Sequence, residues 1–176
     1  MNVKIVHFFS LISLVIALSG CSNYLFYPHK AHYHSPTELQ LSYEDVFIDT
    51  PDGEKLHAWW LPSSNESTLG TVLFLHGNAE NISTHFSNVA WLPKEGYNVL
   101  ALDYRGFGLS TGTPDLAGVL IDIEASLETI VAHYNRPKLP IYVLGQSIGA
   151  ALSLTFVGRS ELAKEHISGM IVDSGF

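Results

Sequence analysis

The sequence predicts an α/β domain, a mostly parallel sheet with helices on both faces. Three observations lead there. Short apolar runs at 71–75, 97–102, 141–144 and 170–172 are continuous rather than alternating, as suits strands covered on both sides. Helical patterning fills the intervals between them. Ahead of both lies a hairpin pattern: Val46, Phe47 and Ile48 lead into Thr50-Pro51-Asp52-Gly53, and residues 56–61 return, with Asp-Gly at the reversal.

The first twenty residues stand apart from this domain. Lys4 gives a short positive start, and residues 5–18 are almost unbroken apolar. That run is shorter than the roughly 20 residues a helix needs to cross a bilayer, so it reads as the core of an export signal. It closes on Leu18-Ser19-Gly20-Cys21, which resembles a bacterial lipobox. The resemblance implies a signal peptide over 1–20, cleavage before Cys21 and acylation of its thiol. An ordinary secretory signal is the alternative. Cys21 is the only cysteine, so no internal disulfide can form. Several acyl chains, at about 0.8 kcal/mol per buried methylene, would hold the protein stably on a membrane. Ser22 resembles the outer-membrane sorting pattern. The expected location is therefore that of an exported, membrane-anchored lipoprotein, on the periplasmic side of the outer membrane in a Gram-negative cell.

Residues 21–40 read as a lipidated tether and 41–176 as the domain. The tether holds Tyr24, Phe26, Tyr27 and Tyr33 among polar residues, together with His29, His32 and His34. Three imidazoles could bind a metal, but no Cys or carboxylate sits at ligand spacing, so a solvated stretch is expected and no metal site. In the domain, Ser83 or Thr84 is placed to cap a helix running to about residue 95, with Gly96 beyond its end. Thr113-Pro114-Asp115 opens the next, with Thr as N-cap and Pro at the first helical position. Its Leu116, Leu120, Ile123, Leu127, Ile130 and Tyr134 form one apolar stripe. The third helix, from Ile148 to about 158, is apolar on most sides, as expected of a buried central helix.

Composition bounds the partners. The chain has 176 residues, 47% of them hydrophobic, enough for one domain with a real core. Nine Lys and Arg face 17 Asp and Glu, for a net charge of −8. An acidic surface without basic runs argues against nucleic acid, whose affinity comes from neutralised phosphates.

The sharpest signal is Gly145-Gln146-Ser147-Ile148-Gly149, set between a buried strand and a buried helix. That is the setting of a nucleophile elbow, where serine occupies a sharp, strained turn and small residues must flank it at a distance of two. Gly145 and Gly149 meet that need. The turn also places Oγ at a helix N-terminus, where N–H groups favour developing negative charge. A second signal, His76-Gly77-Asn78-Ala79-Glu80-Asn81, follows the first parallel strand, where this fold needs a further backbone N–H for an oxyanion hole. His76 itself reads as a buried histidine bracing the loop. Gly106, Gly108 and Gly112 faintly suggest a dinucleotide loop, but the spacing is GxGxxxG and the next helix starts too late to receive a pyrophosphate. No cofactor is expected.

These two motifs, with Asp103-Tyr104-Arg105-Gly106-Phe107-Gly108-Leu109-Ser110, resemble the α/β-hydrolase superfamily. The branch is similar to the serine-aminopeptidase and lysophospholipase-like group, and to the membrane-attached depalmitoylating abhydrolases. Residues 26–28, Asp52-Gly53 and Trp59-Trp60 resemble that branch too. The resemblance covers the first half to two-thirds of a complete member. It implies Ser147 as nucleophile, the backbone N–H groups of Asn78 and Ile148 as the oxyanion hole, and a small acyl substrate: an ester, thioester or small amide.

In this fold the triad runs Ser, acid, His along the chain. After Ser147 the only histidine is His166, which the intervening helix carries away by about 15–20 Å. Asp173 ends the last strand with no histidine after it to orient, and reads as a turn residue. The chain is thus expected to lack the C-terminal strands of the fold and to be inactive, or nearly so, alone. Residues 170–172 are expected as an exposed apolar edge. The alternative is a non-catalytic, membrane-tethered relic or binding module of the same fold.

Overall fold

The computed structural model describes residues 25–135 and 138–175. One six-stranded sheet organises them, in the order β1-β2-β4-β3-β5-β6. The strands are β1 (Glu44–Asp49), β2 (Lys55–Leu61), β3 (Gly70–Leu75), β4 (Tyr97–Asp103), β5 (Ile141–Gln146) and β6 (Ile167–Asp173). β1 and β2 form the expected antiparallel hairpin, and β2 pairs antiparallel with β4. β4, β3, β5 and β6 run parallel, so their carboxyl ends share one edge. Ligands of open α/β sheets gather outside that edge.

Four α-helices accompany the sheet: α1 (Ile82–His85), α2 (Leu116–Thr129), α3 (Ile148–Arg159) and α4 (Glu161–His166). On one face Val119, Ile123, Leu152 and Phe156 pack on Leu73, Leu100 and Val143. On the other, Ile82, Phe86, Val89 and Leu92 cover Trp59, Phe74 and Ala101. β3 is buried along its whole length and β4 over its last five residues, which is why they read as unbroken apolar runs, whereas β5 alternates buried with half-buried residues and β6, at the sheet edge, is largely exposed.

Five features differ from expectation. The helix over 83–95 is one turn, α1, followed by 3₁₀ turns at Phe86–Asn88 and Leu92–Glu95. Pro93 breaks the α pattern there, and Asn81, not Ser83 or Thr84, is the cap, accepting from the Ser83 N–H at 3.0 Å. Asp115, not Thr113, caps α2, its Oδ1 accepting from the Ala117 and Gly118 N–H groups, both at 2.9 Å. The end of the apolar stripe, Ile130–Tyr134, winds as a π turn, which lets Tyr134 stack on Trp60 with centroids 4.4 Å apart. Helix α4 was not expected at all.

The fifth difference concerns the tether. From Leu25 on, the segment is folded onto the domain rather than standing off it. Phe26 is buried against Phe107. The Asn78 amide accepts from the Tyr27 N–H at 3.0 Å and donates to Leu25 O at 2.6 Å. Asn81 Nδ2 donates to His29 O and Ala31 O at 2.9 and 2.7 Å. With its backbone groups satisfied in this way, the arm has no reason to remain solvated.

The loop after β4 is fixed by a buried ion network. Arg105 Nε and Nη2 donate to Asp122 Oδ1 at 2.9 and 2.8 Å, and Nη1 donates to Asp52 Oδ2 at 2.8 Å. Asp122 and Arg105 are both buried. Arg105→Met should therefore cost about 3–5 kcal/mol in urea unfolding, because the buried Asp122 carboxyl would lose its cation and keep only the backbone N–H of residue 105. Hydrogen bonds from Arg105 lower the Asp52 carboxyl from 3.8 to about 2. A lowered carboxyl stabilises the fold above its unfolded value and loses that effect as pH falls. The urea midpoint of Asp52→Asn should thus lie below that of the parent at pH 6, and the gap should close between pH 4 and pH 2.

Candidate active site

Ser147 follows β5 directly and precedes the first residue of α3. Its backbone stands at φ 54°, ψ −117°, a conformation that L residues hold only when their surroundings impose it. Those surroundings are visible. A Cβ at Gly149 would lie 2.1 Å from Leu75 O, and one at Gly145 would lie 2.3 Å from Gly149 O. Only glycine at both positions lets α3 turn so tightly over the ends of β3 and β5. The Ser147 N–H donates to Asp173 O at 2.8 Å, tying the turn to β6. The Ser147 side chain makes no capping bond to its own helix.

Ser147 opens on a cavity of about 400 Å³, lined by Leu25, Phe26, Asn78, Leu116, Ile148, Ala151, Leu152 and Thr155. Its walls are mostly apolar. Asn78 and Ile148, the two expected oxyanion donors, thus share one cavity with the serine. Ile148 begins α3, so its N–H has no helical partner four residues back. Leu116, expected in the core stripe, is exposed at the cavity wall instead.

The loop carrying Asn78 is itself strained, with Ala79 at φ 65° and Glu80 at φ 54°. His76 is fully buried, its Nδ1–H donating to Gly77 O at 2.7 Å, and Tyr104 OH donates to His76 O at 3.0 Å. His76 is a brace, as expected. Gln146 joins the pieces: its amide oxygen accepts from Asn88 Nδ2 at 2.9 Å, and its Nε2 donates to Asp173 Oδ2 at 3.3 Å. His85 lies against Gln146 Oε1 and Ala79 O, both at 3.3 Å; burial and the neighbouring His76 push its pKa down, so it stands neutral near pH 7. His166 ends α4 beside Asn135, Leu139 and Pro140, at the amino end of β5. The six residues of β5 put it roughly 20 Å from Ser147, so it cannot serve as base. Among the described residues, no imidazole nitrogen is hydrogen-bonded to Ser147.

A second cluster lies on the same edge of the sheet, behind the loop of β4. His32 Nε2 and His57 Nδ1 approach Asp103 Oδ2 at 3.5 and 3.9 Å, and His76 Nε2 approaches Oδ1 at 3.5 Å. Burial pushes the Asp103 carboxyl up, but the three imidazoles outweigh it and hold the group well below the usual carboxylate range. Asp103 Oδ1 also accepts from the Ile82 N–H at 2.8 Å. Sequence reading missed this cluster, since His32, His57 and Asp103 come from three separate segments. Cys21 lies outside the described residues.

One stability test follows from the elbow. Gly ordinarily weakens a protein relative to Ala, but at φ 54° the order should invert. Ser147→Gly should exceed Ser147→Ala by about 1 kcal/mol, read as a melting temperature roughly 2–4 °C higher. A lower melting temperature for the glycine variant would contradict the strain.

Comparison with known proteins agrees with this geometry. The family model of the serine aminopeptidase, S33, hydrolases matches residues 66–176. The uncharacterized protein YfhR of Escherichia coli K12 is 37% identical over 157 residues, which is 88% of this chain and 54% of that protein. The α/β hydrolase domain-containing protein WAV2 of Arabidopsis thaliana is 31% identical over 148 residues, 84% of this chain and 47% of that one. The chain spans about half the length of the curated relatives it matches. Among solved structures, the Pyrococcus furiosus esterase Pf2001 superimposes with a TM-score of 0.73 at 29% identity, covering 86% of this chain and 57% of the esterase. The elbow at Ser147, the strand order and these matches agree: the chain belongs to the serine aminopeptidase S33 family of α/β hydrolases.

Proposed function

We propose that this chain supplies the nucleophile and oxyanion half of a serine hydrolase acting on an ester, thioester or small amide. The observation that carries it is Ser147 at φ 54° on a turn that opens into an apolar cavity beside Asn78 and Ile148. In the reaction, Ser147 Oγ bonds to the acyl carbon, the bond to the leaving group breaks, and the leaving group takes the serine's proton. Water then cleaves the acyl-Ser147 ester. The Asn78 and Ile148 N–H groups stabilise the oxyanion, a contribution worth about 10²–10³ in rate per donor.

His166 sits at the far end of β5 and Asp173 gives its backbone oxygen to the elbow, so neither completes a triad. These 176 residues alone should therefore retain only the residual rate of an oxyanion hole and pocket, with about 10⁴–10⁶ lost. Full turnover requires a base and an acid in addition to Ser147 in this reading. A fluorophosphonate probe should label the intact protein and leave Ser147→Ala unlabelled; equal labelling of both would remove Ser147 from the mechanism. Labelling without turnover on any acyl substrate would favour the binding-module reading.

The anchor belongs to the same proposal. No helix of the described residues is long and apolar enough to cross a membrane; the attachment proposed here is the lipidated Cys21. Three residues lie between Cys21 and Leu25, four chain steps with a reach of at most about 14 Å, and Leu25 and Phe26 line the cavity at Ser147. A lipidated Cys21 would hold that cavity against the membrane surface, where acyl substrates are concentrated. Cys21→Ala should move the protein from the membrane to the soluble fraction and abolish incorporation of a fatty-acid label. Unchanged fractionation would sink the anchor.

A further inference from the structure

We propose that His32, His57 and Asp103 form a binding site for one divalent transition-metal cation of the zinc type, which staples the N-terminal arm to the sheet. The inference is independent of the hydrolase reading. The three ligand atoms, His32 Nε2, His57 Nδ1 and Asp103 Oδ2, lie within 4.8 Å of one another. Each is buried and without a hydrogen-bond partner, although His57 and Asp103 are fully buried side chains. Leaving three buried polar atoms together without hydrogen bonds is costly, which points to a group that belongs between them.

The chemistry selects a cation. His57 Nε2–H donates to Asp45 Oδ1 at 2.7 Å, and Trp59 Nε1 donates to the same oxygen at 3.0 Å. With Asp45 Oδ1 accepting from Nε2–H, the other ring nitrogen, Nδ1, is the one that faces Asp103 Oδ2 and can serve as a ligand. A carboxylate behind the far nitrogen of an imidazole is also how metal-ligating histidines are oriented. Tetrahedral zinc with bonds of about 2.0–2.1 Å sets its ligand atoms about 3.3 Å apart. The two edges to Asp103, 3.5 and 3.9 Å, lie close to that value, and the third, between the two imidazole nitrogens, is within 4.8 Å. Two imidazoles and one carboxylate leave a fourth position for water. A cleft bounded by His32, Asp45, Trp59 and Leu109 gives access from solvent.

Gly108 fits the same reading. A Cβ there would lie 2.0 Å from Asp103 Oδ2 and 2.8 Å from His32 Nε2, filling the space the ligands enclose. The other arm histidines are not involved: His29 lies against Tyr33 OH and His34 against Glu38. Because His32 belongs to the arm, His57 to β2 and Asp103 to the end of β4, one ion would join three segments far apart in sequence.

The test is zinc titration of the chelator-treated intact protein by calorimetry, with metal content measured by mass spectrometry. The expected result is one Zn²⁺ per chain, a melting temperature raised by zinc, and a cobalt spectrum of tetrahedral intensity. His32→Gln and His57→Gln should lose the ion, while His29→Ala and His34→Ala keep it. Asp45→Asn should retain the stoichiometry with affinity weakened about 10–100-fold. His32 is partly exposed on the arm, and circular dichroism of His32→Gln would show that it folds. Zinc-free protein after equilibration, or stoichiometry unchanged in His32→Gln and His57→Gln, would overturn the site.

Discussion

Helix α3 crosses the ends of β3 and β5 so closely that the Gly149 backbone rests on the Leu75 carbonyl oxygen. The rest of the site depends on that approach. It forces the turn at Ser147 into a left-handed conformation, lifts the serine clear of its own helix and directs it toward the cavity. It also brings the first N–H of α3 and the loop after β3 to one cavity. A single side chain at residue 145 or 149 would push α3 away from the sheet and separate these parts.

Strain of this kind persists only where the surroundings hold it. Here the support comes from both sides. Asp173 O and the Gln146 side chain tie the elbow to β6 and to Asn88. Opposite, Tyr104 and His76 brace the loop of Asn78, and the Asn78 amide in turn clasps the arm. The arm is thus part of the site's wall rather than a lead to it. Phe26 closes the cavity, and His32 reaches the carboxylate at the end of β4. Binding, positioning and any anchoring meet at one edge of the sheet, as expected where parallel strands present their carboxyl ends together.

Much of this was legible in the sequence, and the exceptions share a cause. Strands β3 and β4 appear as continuous apolar runs because burial on two faces leaves no alternation. The elbow was legible because steric demands within five residues dictate its glycines. Segment 83–95 misled because Pro93 and Gly96 divide it into turns too short for helical periodicity, and the six residues of α4 are too few to show one. The arm's docking and the grouping of His32 with His57 and Asp103 left no local trace. Contacts 25 to 71 residues apart are set by the sheet order, which no short pattern encodes.

The central claim is that Ser147 carries the acyl group. The direct measurement is peptide mass spectrometry of the intact protein, quenched in acid during turnover of an activated short-chain ester. The account predicts one acyl adduct, on the peptide holding Ser147, absent from Ser147→Ala. An adduct on any other residue, or turnover that survives in Ser147→Ala, would contradict it.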